Sequence, residues 1–142
     1  MKKLVICSKA SGNTYKVCSY LSQNEDIDFE VVNERSKINL EEYDVVVLSS
    51  GIYGGHVHKN ILKWTANLEG EINAKFYMFL TWFGREGSDK TALDEVKNVL
   101  ENKGLKLEDN YVKCFGKGMG VVRRSHPNEE DNKKVLSWVK EL

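Results

Sequence analysis

Residues 3–14 read KLVICSKASGNT, a short apolar run followed at once by small and polar residues. Leu4, Val5 and Ile6 are apolar at consecutive positions, as expected of a parallel strand that is covered on both faces. The polar part contains a glycine, which tolerates a tight turn, and several side chains that favour the start of a helix. The stretch therefore predicts a buried strand that ends in a polar loop before a helix.

The same alternation of apolar strand and amphipathic helix continues along the chain. The predicted strands are Lys3–Cys7, Asp28–Asn33, Tyr43–Ser50, Lys75–Trp82 and Asn110–Gly116. Apolar residues repeat every three or four positions between them, which predicts helices, and the last helix is expected to begin near Pro127. Residues 34–42 are too few for a full helical crossover and predict a single helical turn or an irregular link. The pattern predicts one α/β domain over residues 1–142, a three-layer sandwich around a parallel sheet.

Composition excludes several classes of protein. The chain has 142 residues, 41% of them hydrophobic, and its 21 Lys and Arg balance 21 Asp and Glu. A net charge of zero argues against nucleic-acid binding as the main function. No apolar run approaches the roughly 20 residues of a membrane span, and the N-terminal run is too short for a signal peptide. Three scattered cysteines, and the pair His56 and His58 without a third ligand, do not indicate a disulfide scaffold or a metal site. We expect a cytoplasmic protein.

The loop Ser8–Thr14 predicts an anion site. Its small residues let successive backbone N–H groups converge on an anion, and the positive end of the following helix adds to them. A helix cap needs only one polar side chain, whereas this loop has four hydroxyl or amide side chains in seven positions. That number favours a phosphate site. The chain lacks the motif GxxxxGK[ST], and Gly116–Gly120 does not have the spacing of a dinucleotide fingerprint.

Two loops that combine glycines with aromatic residues follow the third and fourth strands. The first is Ser49–His58, with Tyr53 among three glycines, and the second is Thr81–Ser88, with Trp82 and Phe83 beside a glycine. Ligands of open α/β sheets bind outside the carboxyl ends of the strands, where these loops and the Ser8–Thr14 loop meet. A phosphate site beside two such loops predicts a phosphorylated aromatic cofactor.

These loops resemble those of the flavodoxin family, and specifically its short-chain members, over essentially the whole chain. The resemblance implies a five-stranded parallel sheet of order 2-1-3-4-5 and FMN as the cofactor. The implied FMN-binding residues are Ser8, Lys9, Ala10, Ser11, Gly12, Asn13 and Thr14 at the phosphate, Ser49, Ser50 and Gly51 along the ribityl chain, and Ile52, Tyr53, Gly54, Gly55, Trp82, Phe83, Gly84 and Gly87 around the flavin ring.

The resemblance also implies redox behaviour. In flavodoxins a glycine peptide of the loop after the third strand reorients to hydrogen-bond the flavin when the flavin gains a proton, and Gly54 and Gly55 match it. Flavodoxins are typically acidic around the flavin, whereas Arg85 and the basic loop Lys117–Arg124 are expected near its rim here. Since a cation stabilises the anionic reduced flavin, we expect a less negative potential for the second electron.

Two functions stay open at this point. The first is an electron carrier between a separate reductase and an acceptor protein, since the chain is too short for a nicotinamide-binding domain of its own. The alternative is an FMN oxidoreductase that acts on a small aromatic or tetrapyrrole substrate, or an accessory partner of a tetrapyrrole reductase. Its basis is the stretch Gly51–His56 before Lys59 and Lys63, which resembles flavodoxin-type protoporphyrinogen oxidases. A signalling receiver domain is excluded, because the acids that it needs at the strand ends are serines and a cysteine here.

Overall fold

A computed structural model of the protein describes residues 2–24, 26–82, 84–115 and 127–142. In chain order its elements are β1 (Lys3–Cys7), α1 (Gly12–Leu21), β2 (Ile27–Val31), β3 (Val45–Tyr53), β4 (His56–Val57), α2 (Lys59–Ala66), β5 (Lys75–Trp82), α3 (Ser88–Asn102), β6 (Val112–Phe115) and α4 (Glu129–Glu141). All five predicted strands are present. The predicted site residue Phe83 and the basic loop Lys117–Arg124 lie outside the described residues.

Five strands form a parallel sheet in the order β2-β1-β3-β5-β6. β4 lies off this path, so the order is the predicted 2-1-3-4-5 for the five parallel strands, and that prediction is confirmed. The register pairs Cys7, the last residue of β1, with Val31 of β2 and with Ser49 of β3. The carboxyl ends of the strands therefore meet at one edge, and the sheet reverses its order between β1 and β3.

The hairpin of β3 and β4 was not predicted. β3 continues past Ser50 to Tyr53, and β4 pairs with it antiparallel, Tyr53 opposite His56. Gly54 and Gly55 connect the two strands with φ angles of 58° and 85°. Two positive φ angles define the turn that matches the twist of a two-residue hairpin, and glycine adopts them without steric cost. The third strand therefore extends three residues beyond the predicted end at Ser50, and the segment predicted as a loop contains this hairpin.

Helices cover both faces of the sheet and create two apolar cores. α1 and α4 pack on one face over Val5, Val47 and Phe79, which are fully buried. α2 and α3 pack on the other face over Leu48 and Leu80. The consecutive apolar residues of the strands are thus covered from both sides, as the sequence predicts. Among the described helices, none is both long and apolar enough to cross a membrane.

The structure defines one link and two helix starts more closely than the sequence does. The link from β2 to β3 is irregular and contains no helical turn within the described residues. α1 begins at Gly12, so the polar residues up to Thr14 belong to its first turn rather than to the loop. α4 begins at Glu129 instead of Pro127, because Asn128 and Asp131 form a reciprocal capping pair there.

Candidate functional site

The connection from β1 to α1 presents backbone donors at the carboxyl edge of the sheet. Ser11 is the N-cap residue of α1, but its side chain makes no capping hydrogen bond, and the first turn contains no acidic residue. Gly12 follows with a φ angle of 91°, which brings the chain into the helix through a conformation that favours glycine. The first N–H groups of α1 thus have no acceptor from the cap side chain and suit an anion.

Lys9 connects this loop with the β3–β4 hairpin. A Cβ atom placed on Gly12 would lie 3.4 Å from Lys9 Cε, so the lysine side chain runs across the start of α1. Lys9 Nζ lies 5.5 Å from the centre of the Tyr53 ring, within the range of a cation–π contact. The loop therefore contributes a cation as well as N–H donors to the same place.

Tyr53 is an exposed aromatic residue at the end of β3. Its side chain is 45% exposed, and its hydroxyl lies 3.1 Å from the position that a Cβ atom on Gly51 would take. The edge of the Tyr53 ring meets the His58 ring at a centroid distance of 5.5 Å. A Cβ atom at Gly51 would push this ring away by a few tenths of an ångström, so the glycine allows the Tyr53 ring to lie close over the backbone.

The hydroxyls of the two predicted serines of β3 are engaged inside the protein. Both residues are fully buried. Ser49 Oγ donates to the Ile6 carbonyl at 2.5 Å and lies 3.1 Å from Cys18 Sγ. Ser50 Oγ donates to the Gly51 carbonyl and accepts from the His58 N–H at 2.9 Å. These side chains hold the strand ends and the hairpin in place around the candidate site.

Sequence reasoning missed two residues that fix the Ser8–Thr14 loop. The Asn60 side-chain amide, at the start of α2, donates to the Ser8 carbonyl at 2.8 Å. The Thr81 hydroxyl, near the end of β5, lies 2.8 Å from the hydroxyl of Thr14 in the first turn of α1. Both contacts join elements far apart in the chain. The only sequence signal for either residue is a polar side chain at the end of an apolar strand or at a helix start.

His58 is the N-cap residue of α2. Its Nδ1 atom accepts a hydrogen bond of 3.0 Å from the Asn60 N–H, which requires the neutral ring. Burial lowers the pKa of His58, and the charges of Lys9 and Lys59 lower it further. The start of α2 therefore places the neutral His58 ring and the Lys59 cation beside the Ser8–Thr14 loop.

Trp82 packs at the opposite side of the strand ends. Its half-buried ring stacks parallel on Phe115 at a centroid distance of 6.2 Å, and Lys113 Nζ lies 3.9 Å from its centre. Lys113 also pairs with Asp89 at 2.7 Å, and the Tyr111 hydroxyl donates to the same carboxylate. Burial raises the pKa of Asp89, but the hydrogen bonds from Lys113 and Tyr111 outweigh this and leave it below its usual value. Trp82 is thus held against two residues of β6, Phe115 and Lys113, and Lys113 is itself fixed by Asp89 of α3.

The loop after Trp82 turns at its predicted glycines. Gly84 and Gly87 have φ angles of 85° and 84°, and Gly87 is the N-cap residue of α3. Arg85 lies between them and is exposed. The two glycines therefore allow the chain to leave β5 and enter α3 with Arg85 at the surface.

The three cysteines are buried, and all are free thiols. A hydrogen bond with Cys18 lowers the pKa of Cys7 to about 7, and burial raises the pKa of Cys114 to about 12. Cys7 Sγ donates to the Lys9 carbonyl at 3.3 Å and so supports the loop from below. Within the described part of the chain, no three His, Cys, Asp or Glu residues are grouped as a metal site would require.

The donor set fits a phosphorylated, flat ligand. The start of α1 offers N–H groups, hydroxyls and the Lys9 cation without a nearby first-turn acid, which suits a phosphate. The hairpin offers an exposed ring at Tyr53, and Cβ atoms on Gly54 and Gly55 would have no neighbour within 4 Å in the part of the chain that the structure describes. A flat ring system can therefore approach this backbone closely.

Comparison with known proteins agrees with this fold. The chain is 28% identical, over an alignment of 150 residues, to an uncharacterized protein of Methanocaldococcus jannaschii, and the alignment covers 100% of this chain and 98% of that protein. Oxidised flavodoxins 1 and 2 of Bacillus cereus share its fold with TM-scores of 0.66 and 0.69 at 20% and 16% identity. These two matches cover 100% of this chain and at least 99% of each flavodoxin.

A third structure of the same fold contains a ligand. It is a flavoprotein of Lactobacillus acidophilus in complex with FMN, with a TM-score of 0.60 at 15% identity over 79% of this chain and 92% of that one. The family model described as a flavodoxin domain matches residues 4–131. The chain therefore belongs to the flavodoxin domain family.

Proposed function

We propose that the protein binds FMN and transfers electrons between redox partners. The observation that carries this proposal is one arrangement at adjacent strand ends. The start of α1 has no side-chain cap and no acidic residue in its first turn, and Lys9 lies beside it. The Lys9 ammonium lies near the exposed ring of Tyr53, which precedes the Gly54–Gly55 turn. Membership of the flavodoxin domain family supports FMN as the cofactor.

Each part of the proposed site has a distinct task. The N–H groups from Ser11 to Thr14 and the Lys9 ammonium would hold the phosphate, and the exposed Tyr53 ring would cover the flavin. Gly51, Ile52 and the turn Gly54–Gly55 would follow the ribityl chain and one ring edge, with Ser49 and Ser50 as buried supports. Trp82, Gly84 and Gly87 would border the other side. Bound FMN would supply the redox chemistry, while the chain orients it and sets the charge around it.

An electron carrier must expose one edge of its cofactor to partner proteins. Tyr53 is one of the two large apolar side chains exposed among the described residues, and it lies at this site. An exposed aromatic residue beside a cofactor suits brief contacts with a reductase and with an acceptor. The cytoplasmic location expected from the sequence stays a prediction.

A second candidate function is oxidation of a tetrapyrrole or another small aromatic substrate. The observation in its favour is Lys59, an exposed cation at the start of α2 whose charge reaches the His58 ring of the site. Such a cation could pair with a substrate carboxylate. The other lysine of this helix, Lys63, already pairs with Glu34 at 3.7 Å. Oxidation of a porphyrinogen by the FMN-loaded protein with a quinone acceptor would decide for this enzyme.

The carrier proposal is tested by mediated electron transfer. The FMN-loaded protein is added to an NADPH-dependent flavoprotein reductase and cytochrome c, and the reduction of cytochrome c is followed by absorbance. We expect the rate to rise in proportion to the loaded protein and to exceed that of free FMN at the same concentration. A rate no higher than that of free FMN would contradict the carrier function.

A further inference from the structure

One carboxylate of α3 holds two successive residues of β4. Glu95 Oε1 accepts a hydrogen bond of 2.9 Å from the backbone N–H of Val57. Glu95 Oε2 lies 2.9 Å from His56 Nδ1, which therefore carries the hydrogen of this contact. The Glu95 side chain is 27% exposed, so both contacts are partly shielded from water. The pair of contacts fixes the backbone and a side chain of the same strand.

The rest of the hairpin is fixed as well, except for its turn. Val57 is 3% exposed and packs in the core under α2 and α3. The His58 N–H, which comes next, is bound by Ser50 Oγ. In contrast, a Cβ atom on Gly54 or Gly55 would meet no atom of the described residues within 4 Å. The turn is therefore the part of the hairpin that has room to change its backbone conformation.

We propose that Glu95 is a positioning residue for the Gly54–Gly55 turn. By anchoring β4, it confines any conformational change of the hairpin to the peptides of the turn and directs them at the flavin. This inference rests on the proposed FMN-binding function. It assigns the control of the turn to a residue of α3, 38 positions away from Val57 in the sequence.

Loss of the anchor has a defined physical consequence. Without the Glu95 carboxylate, the Val57 N–H and the His56 ring lose their acceptor, and β4 gains conformational freedom. If the turn makes a contact only with reduced FMN, a mobile turn must lose conformational freedom when that contact forms. This entropic cost weakens the contact. Removal of Glu95 should therefore weaken the binding of reduced FMN more than that of oxidised FMN.

The test uses Glu95→Gln and Glu95→Ala, with Glu101→Gln and Glu101→Ala as matched controls. Glu101 lies on the exposed surface of the same helix and gives the same charge change. The first readout is amide hydrogen exchange at Val57 in the protein without FMN, measured by NMR. We expect exchange about tenfold faster in Glu95→Ala, where the Val57 N–H loses an acceptor of full charge. The increase should be smaller in Glu95→Gln, whose amide oxygen can still accept this hydrogen bond without the charge, and exchange should be unchanged in the controls.

The second readout is the potential for the first electron of bound FMN. In Glu95→Ala we expect the affinity for reduced FMN, relative to that for oxidised FMN, to be about tenfold lower, which makes the potential about 59 mV more negative for one electron. The shift in Glu95→Gln should have the same sign and be smaller, because glutamine keeps one acceptor oxygen. Potentials equal to those of the controls would overturn the proposal, even if exchange at Val57 is faster, because Glu95 would then be structural only. Glu95→Gln has the shape of the native residue and keeps the test open if Glu95→Ala does not fold. Failure of the unaltered protein to bind FMN would instead remove the proposed function, and this inference with it.

Discussion

The side-chain amide of Asn60 donates a hydrogen bond of 2.8 Å to the backbone carbonyl of Ser8. This contact joins the start of α2 to the first residue of the Ser8–Thr14 loop, 52 positions earlier in the chain. The backbone N–H of Asn60 is bound at the same time by the ring of His58. The loop that would hold the cofactor phosphate follows β1, and α2, which follows the β3–β4 hairpin, fixes it. The sheet reverses its strand order between β1 and β3.

Removal of this contact should weaken FMN binding. In Asn60→Ala the Ser8 carbonyl loses a neutral hydrogen bond, worth about 1 kcal/mol, and the loop is less well ordered. We expect the Kd for FMN to rise about fivefold, as measured by quenching of flavin fluorescence. The control is Asn67→Ala at the other end of α2, where the side-chain amide binds the Glu34 carbonyl. Equal Kd values for the two variants would count against a role of Asn60 in the loop.

Lys9 should act on the phosphate specifically. In Lys9→Gln we expect the Kd for FMN to rise by a factor of about ten or more, because a charge-assisted contact is lost. Riboflavin, which has no phosphate, should bind the variant and the unaltered protein equally well. The matched control is Lys16→Gln, an exposed lysine of α1 beyond its first turn. A parallel loss of riboflavin affinity would show that Lys9 acts on the ring or on the fold instead.

His58 should make the stability of the protein depend on pH. Its pKa is lowered in the folded protein from the ordinary 6.5, so the unfolded chain takes up the proton first on acidification. Its contribution is fully present above pH 6.5 and is lost as the pH falls through the lower folded pKa, where the ring can no longer accept the Asn60 N–H. The loss should amount to about 1 kcal/mol, the usual value of a helix cap.

The variant His58→Asn isolates this effect, because asparagine caps a helix without titrating. The free energy of unfolding in urea is measured for both proteins between about pH 7.5 and pH 5. The unaltered protein should lose stability relative to His58→Asn across this interval. Parallel curves would mean that the ring does not cap α2 in solution.

Arg85 tests the expected effect of positive charge at the rim of the site. It is exposed in the turn between Gly84 and Gly87, next to the proposed ring site. In Arg85→Ala the potential for the second electron of bound FMN should become more negative, by up to about 59 mV, which is a factor of ten for one electron. Arg35→Ala, an exposed arginine in the link from β2 to β3, is the control. No difference between the two would place Arg85 too far from the flavin to matter.

Most of the fold follows from local sequence. Runs such as Val45–Leu48 are apolar at consecutive positions because both faces of the sheet are covered, and several of the five parallel strands are predicted from such runs. The boundary of α4 was less predictable, since Pro127 and Asn128 are both suited to a helix start. The capping pair of Asn128 with Asp131 decides between them.

The turn Gly54–Gly55 shows where the sequence prediction was incomplete. Three glycines in five residues, Gly51–Gly55, look irregular, but the pair between Tyr53 and His56 forms a tight hairpin. Gly51 serves a different purpose, because the Tyr53 ring lies over it. Gly54 and Gly55 allow a turn with positive φ angles, whereas Gly51 leaves room for a neighbouring ring. The amino-acid composition of the segment does not distinguish these two roles.

Sequence patterns do not identify the residues that support the candidate site. Thr81 meets Thr14 across 67 positions, and Glu95 meets Val57 across 38. Neither belongs to a motif, since each is a single polar residue on an ordinary strand or helix. Their partners are set by the packing of elements that are distant in the chain.

The central claim is that this edge of the sheet is an FMN site with its phosphate at the start of α1. Its most direct test is titration calorimetry of the protein without cofactor, first with FMN and then with riboflavin under the same conditions. The account predicts one FMN per chain and an affinity for FMN at least about tenfold higher than for riboflavin, the gain expected from charge-assisted phosphate contacts. No heat of binding with FMN, or equal affinities for the two flavins, would contradict it.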